Sequence, residues 1–322
     1  MARLIRAAAC GLAVGLAWLA WTTPGWGAAL YVTNTKSDSI SVIDTNTFEV
    51  TQTIPVGKGK PNRIAFHPDG KTAWVVYDKS HDIGVLDADA GRVVKRIRAG
   101  QNPYNLAFSP DGRYCYVLDW GDVDEVIVYD LKAERVDGRI EVPTWPAHGV
   151  FTRDGKTFYV SSETAGNVSV IDTASRRITH TVWTGGNAMG LALTADQRWL
   201  YAAAGEERNV VKVDTATNTA TGAIALPGIV HEAVLTLDGQ FLYTTLRKAN
   251  KLVVVRTADE RVVATTPQPG YPDLVVMEPS GRYAFVTNRW AGVVTVIDVR
   301  THTQVKAIPV GKAPHGMALR PR

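Results

Sequence analysis

Hydrophobic and polar residues alternate in short runs along most of the chain, and the same order of runs returns about every 42 residues. In one repeat the runs predict strands at Ile64–Phe66, Thr72–Tyr77, Ile83–Asp87 and Arg92–Ile97, with a turn at Asp69-Gly70 after the first. Alternation with a period of two, interrupted by turn residues, is typical of β-strands joined as hairpins. No helical periodicity follows the first 29 residues, so an all-β fold is predicted.

Two markers fix the repeat length. The turn pair recurs at Asp69-Gly70, Asp111-Gly112, Asp154-Gly155, Asp196-Gln197, Asp238-Gly239 and Ser280-Gly281. An aspartate closes the third strand at Asp44, Asp87, Asp130, Asp172, Asp214 and Asp298, and Arg256 fills the remaining position. Four strands in a unit of about 40–45 residues are typical of a propeller blade. Residues 30–322 therefore predict a seven-bladed β-propeller of four-stranded antiparallel blades.

The ends of the repeat array predict how the ring closes. The first repeat starts at Leu30, at a second-strand position, with no inner strand before it. Residues His315 to Leu319 match the inner strands of the other blades. We therefore expect the C-terminal strand to complete the first blade, which leaves no open end on the ring.

The repeats carry a recognisable motif. The sequence LYVTN at 30–34 is followed by SVIDT at 41–45 and IPVG at 54–57, and the last repeat has FVTN at 285–288, VID at 296–298 and IPVG at 308–311. This pattern resembles the YVTN family of propeller repeats. That family is similar to the haem d1-binding propeller of cytochrome cd1 nitrite reductase and its biosynthetic relatives, and it includes exported propellers encoded beside PQQ-dependent alcohol oxidation systems. The resemblance implies a Gram-negative periplasmic protein.

The first 29 residues have the pattern of a signal for export. Arg3 and Arg6 precede an apolar run at 7–21, and small residues follow Pro24. This is the pattern of a cleavable signal peptide, and the apolar run is short for a membrane span. We expect residues 1–29 to be the signal, residues 30–322 to be the propeller, and the protein to lie in the periplasm with no membrane span. Cys115 is then the single cysteine, predicted to be a buried thiol.

Composition narrows the possible partners. The chain has 322 residues, 45% of them hydrophobic and 20% charged, with a formal net charge of +4. The net charge is small and no run of Lys and Arg stands out, so the composition does not indicate a nucleic-acid-binding protein. A closed ring needs no second copy, so we expect a monomer that binds a periplasmic protein or a small ligand, and no nucleic acid.

Candidate site residues lie where the repeats differ at the mouth of the central channel. The two positions just before each inner strand, and the loops beside them, carry titratable and aromatic residues that a pure scaffold would not need. The leading ligand-binding candidates are Arg63, Tyr104, Trp120, Trp145, His148, His231, Glu232, Asp273, Arg289 and His315. The neighbouring loops add Tyr271, Arg247 and Trp290.

Several chemistries remain open at this mouth. His148, His231 and His315 could bind a divalent metal ion such as zinc or copper, although no local ligand spacing brings them together. A haem d1-like ligand would use arginines for its carboxylates, an aromatic wall and an axial histidine. A lactonase-like site would recruit Glu232, Asp273 and Asp119 around a cation.

The expected function is binding rather than catalysis. The chain has no GxSxG elbow, no phosphate-binding loop, no dinucleotide fingerprint and no CxxCH haem attachment motif. We expect an exported accessory protein, without a bound cofactor and with no assigned catalytic residue, that presents its channel mouth to a partner or small ligand. A link to a PQQ-dependent system follows from the resemblance. The alternative is a haem d1- or metal-binding propeller with a redox, cofactor-assembly or lactonase-like role.

Overall fold

The computed structural model describes residues 28–321, which form seven antiparallel four-stranded sheets and no helix. Each sheet is one blade, and we number the blades 1 to 7 in chain order. The predicted all-β, seven-bladed propeller is confirmed.

The strands follow one another with nearly equal lengths. Blades 1 and 2 contain β1 (Ala29–Asn34), β2 (Ser39–Asp44), β3 (Glu49–Pro55), β4 (Pro61–Phe66), β5 (Thr72–Tyr77), β6 (Ile83–Asp87) and β7 (Arg92–Ile97). Blades 3 and 4 contain β8 (Pro103–Phe108), β9 (Tyr114–Asp119), β10 (Glu125–Asp130), β11 (Arg135–Glu141), β12 (Pro146–Phe151), β13 (Thr157–Ser162), β14 (Asn167–Asp172) and β15 (Arg177–Trp183). Blades 5 and 6 contain β16 (Ala188–Leu193), β17 (Trp199–Ala204), β18 (Asn209–Asp214), β19 (Thr219–Ala225), β20 (Glu232–Leu235), β21 (Phe241–Leu246), β22 (Lys251–Arg256) and β23 (Arg261–Pro267). Blade 7 contains β24 (Pro272–Met277), β25 (Tyr283–Asn288), β26 (Val293–Asp298) and β27 (Thr303–Pro309), and β28 (Pro314–Leu319) is the inner strand of blade 1.

The ring closes as predicted. Strand β28 pairs antiparallel with β1, with Leu30 opposite Leu319 and Val32 opposite Met317. Strand β1 begins at Ala29, one residue before the predicted start. The predicted signal peptide lies outside the described residues except for Ala28 and Ala29.

The hydrophobic core is divided into seven clusters, and each lies mainly between two neighbouring blades. Tyr31 packs with Tyr77 of blade 2, whereas Leu30 and Val32 on either side of it pack with Phe285 of blade 7. Because successive side chains of a strand point to opposite faces, a middle strand buries both of its faces. This sandwiching explains why these strands are apolar throughout.

The turn markers have a direct structural cause. The Asp44 carboxylate accepts hydrogen bonds from the backbone amides of Asn46 and Thr47 at 2.7 and 3.0 Å, which closes the turn after the third strand. Gly70 has a φ of +68°, a left-handed conformation that glycine adopts without steric strain. Gln197 takes the same conformation at +62°, so the repeat tolerates its missing glycine.

Two further predictions concern burial. Cys115, the single cysteine among the described residues, is fully buried, and burial raises the pKa of its thiol. Within residues 28–321, no helix has the length and apolar character required to span a membrane.

Candidate functional site

Most of the predicted channel residues lie inside the inner strands rather than just before them, which corrects the predicted strand starts; His231 lies just before β20, as predicted. Neighbouring inner strands contact one another around the ring. Most of them break the pairing register at the candidate positions, as between Pro61 and Ile64, Pro146 and Gly149, and Pro272 and Val275. Such breaks redirect side chains near functional sites. They also interrupt the alternation by which a strand is recognised in sequence.

The threonine of the YVTN motif fixes these irregular segments. The Thr287 hydroxyl accepts a hydrogen bond from the Leu274 amide at 3.1 Å and donates one to the His315 carbonyl of the next blade at 3.1 Å. Thr245 donates in the same way to the Asp273 carbonyl at 2.9 Å. The motif therefore joins adjacent blades at the level of the candidate site, which positions Asp273 and His315.

Asp273 is the centre of a buried charge cluster. Its side chain is fully buried and accepts hydrogen bonds from Nε and Nη2 of Arg247, the first at 2.7 Å. Nη1 of Arg289 lies 3.5 Å from Oδ2. Nδ1 of His231 lies 3.5 Å from Oδ1, and Nε2 of His315 lies 3.1 Å from Oδ2. One carboxylate thus faces two guanidinium groups and two imidazole rings.

Several buried polar atoms of this cluster have no hydrogen-bond partner among the described residues. They are both ring nitrogens of His231, both ring nitrogens of His315, Oδ2 of Asp273 and Nε of Arg63. The 3.1 Å approach of His315 to Asp273 is close enough for an ion pair but does not have hydrogen-bonding angles. Burial and the nearby arginines hold the pKa of His231 and His315 well below the usual value, so both rings are neutral at pH 7.

Arg63 begins a second chain of polar contacts. Its Nη2 lies 3.1 Å from Nε2 of His148 and 3.5 Å from the Tyr104 hydroxyl. A guanidinium can only donate, so Nε2 of His148 is the acceptor and its proton resides on Nδ1. That nitrogen lies 3.9 Å from Oε2 of Glu232. Burial lowers the pKa of His148, as do the charges of Arg63 and Arg247, so this ring is also neutral.

Glu232 is a buried acid with an unusual pKa. It is 5% exposed, and burial raises its pKa from 4.5 to about 7, with the positive charge of Arg63 acting in the opposite direction. Oε1 accepts a hydrogen bond from the Ala233 amide at 3.0 Å. The charge of the channel therefore changes near neutral pH.

An aromatic stack borders Arg63. The rings of Tyr104 and Trp120 are 3.8 Å apart and nearly parallel, and Trp145 stacks on the other side of Trp120 at 5.1 Å. The Trp120 indole donates to the Pro146 carbonyl at 2.7 Å, which fixes the stack. Trp145 is 45% exposed and has a φ of +63°, an uncommon conformation for a bulky residue.

A second stack borders Arg247. Tyr271, with a φ of +54°, stacks on Trp290 at 4.4 Å, and Trp290 is 73% exposed. The Arg247 guanidinium lies 5.4 Å from the centre of the Tyr271 ring, as Arg63 lies 5.5 Å from that of Tyr104. Arg63 and Arg247 are therefore each flanked by stacked rings that reach the surface, three beside Arg63 and two beside Arg247.

Comparison with known proteins establishes the family. The family model described as YNCE-like beta-propeller matches residues 2–320. The chain belongs to the YNCE-like beta-propeller family. The predicted resemblance to a known family of β-propeller repeats is thereby confirmed.

Relatives of known sequence match part of the chain. YncE of Salmonella typhimurium, itself uncharacterised, is 30% identical over 137 residues, which are 41% of this chain and 38% of that protein. Antigen Lp49 of Leptospira interrogans is 26% identical over 190 residues, covering 52% of this chain and 41% of the antigen. In both cases the match spans less than half the length of the relative.

Solved structures share the fold. Kuenenia stuttgartiensis hydrazine synthase has a TM-score of 0.75 at 21% identity, covering 84% of this chain and 92% of that one. A functionally unknown protein from Desulfotomaculum acetoxidans has a TM-score of 0.77 at 14% identity, covering 92% and 100%. At these identities the likeness concerns the fold alone.

The structure brings the predicted site residues into one region of this YNCE-like propeller. The His148 and His231 rings meet edge to face at 6.2 Å, which connects the Arg63 chain to the Asp273 cluster. Asp119 is the exception. It is fully buried and accepts hydrogen bonds from the amides of Gln101 and Asn102 at 2.9 and 2.8 Å, so its carboxylate supports a loop.

A metal site formed by His148, His231 and His315 stays a prediction. Among residues 28–321, no three His, Cys, Asp or Glu side chains are grouped so that they could hold a metal ion. His231 and His315 both face Asp273, whereas His148 faces Arg63 and Glu232.

Arg247 is the residue that sequence reasoning ranked too low. It was assigned to the neighbouring loops, yet it makes the closest contact with Asp273. Its position in the repeat could have indicated this role, because Arg247 is the first residue after the second strand of its blade. The residues at that position in blades 1 to 7 are Thr35, Asp78, Trp120, Glu163, Gly205, Arg247 and Arg289. Three of them, Trp120, Arg247 and Arg289, belong to the site described above.

Proposed function

We propose that this protein is an exported, non-catalytic binding propeller that holds a small anionic ligand at the mouth of its channel. The observation that carries the proposal is Arg63. Its side chain is buried, with 3% of the residue exposed, and within residues 28–321 no carboxylate lies within ion-pair distance of it. Burial lowers the pKa of Arg63, whereas Tyr104, Asp273 and Glu232 raise it, the two carboxylates acting from beyond ion-pair distance; a ligand carboxylate would supply the direct contact that they do not make.

The arginines of the channel provide partners for an anion. Arg63, Arg247 and Arg289 carry three positive charges; Asp273 lies within ion-pair distance of Arg247 and Arg289, and Asp78, Glu163 and Glu232 belong to the same electrostatic environment. The three channel histidines are neutral because their pKa values are lowered. Arginine is well suited to bind carboxylates through paired hydrogen bonds.

Binding rather than catalysis is supported by the contacts of the histidines. Among the described residues, no channel histidine ring is hydrogen-bonded to a hydroxyl or a thiol. A nucleophile activated by a neighbouring base is the usual signature of covalent catalysis. The periplasmic location and the link to a PQQ-dependent system belong to the proposal and rest on the N-terminal pattern and the motif resemblance. Cell fractionation with an antibody against the propeller tests the location.

Isothermal titration calorimetry with a series of carboxylates from acetate to citrate tests the binding function. We expect saturable binding to the wild type, and Arg63→Met should weaken it at least about tenfold. Arg300→Gln removes an exposed arginine from a turn away from the channel and should bind like the wild type. No binding by any carboxylate, or equal binding by Arg63→Met, would overturn the proposal.

The cofactor-carrying alternative has one observation in its favour. The ring nitrogens of His231 and His315 have no partner among the described residues and are chemically able to ligate iron or another metal. An absorption spectrum of the protein purified from its own host tests this alternative. Visible bands that disappear in His315→Ala would replace the anion-binding proposal, whereas a colourless protein would exclude haem d1.

A further inference from the structure

A cleft opens beside the Asp273 cluster at the mouth of the channel. Its volume is about 180 Å³, smaller than the 300 Å³ or more that is typical of sites for drug-sized ligands. Residues from several neighbouring blades line it: Glu163, Asn187, Met189, Gly205, Glu206, Ile229, Val230, His231, Arg247, Lys248 and Tyr271. The size fits a molecule of few heavy atoms.

The carboxylates of Glu163 and Glu206 line the cleft. Within residues 28–321, neither the Glu163 nor the Glu206 side chain has an ion pair, and neither is hydrogen-bonded to another side chain. The Glu163 backbone is fixed by a 2.7 Å hydrogen bond from its amide to the Trp145 carbonyl. Burial raises the pKa of Glu163, and the charges of Arg247 and Arg63 lower it, so these groups share one electrostatic environment.

Arg247 and Lys248 are the cationic side chains of the lining. The Arg247 guanidinium is held in place by Asp273 and by the Tyr271 ring. Lys248 is exposed and has no ion pair among the described residues. No ion pair crosses the cleft within the described chain, since neither Glu163 nor Glu206 comes within 4.0 Å of a cationic nitrogen. The cleft therefore contains carboxylates and cationic groups that do not form ion pairs with each other.

His231 and apolar side chains complete the lining. His231 is 4% exposed, and both of its ring nitrogens lack a hydrogen-bond partner. Met189, Ile229 and Val230 provide an apolar surface beside it. A ligand in the cleft would meet two carboxylates, two cationic groups, the His231 ring and an apolar patch.

We propose that the cleft binds a small zwitterion, an α-amino acid with an apolar side chain. The ligand's ammonium group faces Glu163 and Glu206, and its carboxylate faces Arg247 and Lys248. This assignment rests on the proposed function and deepens it, because the ligand carries a cation as well as a carboxylate, and the carboxylate contacts Arg247 and Lys248 since Arg63 does not line the cleft. A simple anion would leave the two carboxylates without a partner, and a simple amine would meet like charge at Arg247 and Lys248.

Three compounds of nearly equal size separate these cases. Leucine has both charges, isocaproate lacks the ammonium group, and isoamylamine lacks the carboxylate. Isothermal titration calorimetry near pH 7 should give leucine an affinity at least about tenfold higher than that of either analogue. If isocaproate binds as tightly as leucine, the zwitterion assignment is wrong and the anion-binding function stands. If neither these compounds nor any other carboxylate binds, both proposals are overturned.

A matched pair of variants tests the role of the Glu163 carboxylate. Glu163→Gln keeps the shape of the side chain and removes its charge, so it should weaken leucine binding about tenfold without weakening isocaproate binding. Glu207→Gln changes an exposed residue that does not line the cleft and should bind both compounds like the wild type. Equal leucine affinity in Glu163→Gln and the wild type would refute the assignment.

Discussion

Glu232 makes the stability of this protein depend on pH in a way that one substitution isolates. Burial raises the pKa of this acid from 4.5 to about 7 in the folded protein. The folded state therefore binds the proton more tightly than the unfolded chain does. The resulting stabilisation is fully present below about pH 4.5 and is lost as the pH rises through 7. Each pKa unit is worth about 1.4 kcal/mol, so the loss is about 3 kcal/mol.

Glu232→Gln should remove this loss. The amide is neutral at every pH, and its oxygen can still accept the hydrogen bond from the Ala233 amide. The variant should match the wild type at acidic pH and should be more stable by up to about 3 kcal/mol at alkaline pH. Because the lowered pKa values of the histidines act in both proteins, their contribution cancels in the comparison.

Urea unfolding of both proteins at about pH 5 and about pH 8.5 measures the effect. Glu207→Gln, an exposed change of the same chemistry, is the control and should show no pH-dependent difference. A Glu232→Gln variant that differs from the wild type by the same free energy at both pH values would show that the acid is already ionised at low pH. The raised pKa of Glu232 and the change of channel charge near neutral pH would then both be refuted.

Three further predictions concern the scaffold and the histidines. Gly316→Ala should reduce the free energy of unfolding by about 1–3 kcal/mol, because the added Cβ would lie 2.5 Å from the Asn62 carbonyl oxygen and 2.9 Å from Cα of Arg63. Gly222→Ala, where nothing lies within 4 Å, should cause no loss in the same urea titration. His315 has a lowered pKa, so it contributes to the loss of stability as the pH falls below about 6.5; His315→Gln should show a smaller acid loss, and an unchanged acid profile would contradict this. The Cys115 thiol should react with a thiol reagent only as fast as the protein unfolds, and rapid labelling of the folded protein would refute its burial.

The fold could be predicted because its determinants are local and repeated. The carboxylate of Asp44 accepts hydrogen bonds from amides of the turn that follows it, and Gly70 has the left-handed conformation that its turn requires. The equivalent residues of other repeats do the same. The six copies of each signal fix the register of the blades. The pairing of β1 with β28 could be predicted from the same register, because the first repeat lacks an inner strand and the last residues of the repeat array supply one.

The site was predicted only in outline, for a physical reason. Register breaks such as that between Pro272 and Val275 suspend the alternation that tells which way a side chain points. Sequence could therefore place Asp273 at the mouth but gave no sign that Arg247 binds it. The cleft between Glu163 and Lys248 joins different blades, and no spacing along the chain encodes the distance between them.

The pairing of β28 with β1 has a consequence for how the protein is made. His315 lies on β28, and its carbonyl accepts the hydrogen bond that Thr287 sends between blades. A nascent chain that ends before this strand can form most of its blades, yet it has neither a closed ring nor a complete Asp273 cluster. Under the proposed function, ligand binding would therefore require that the last strand has been synthesised and docked.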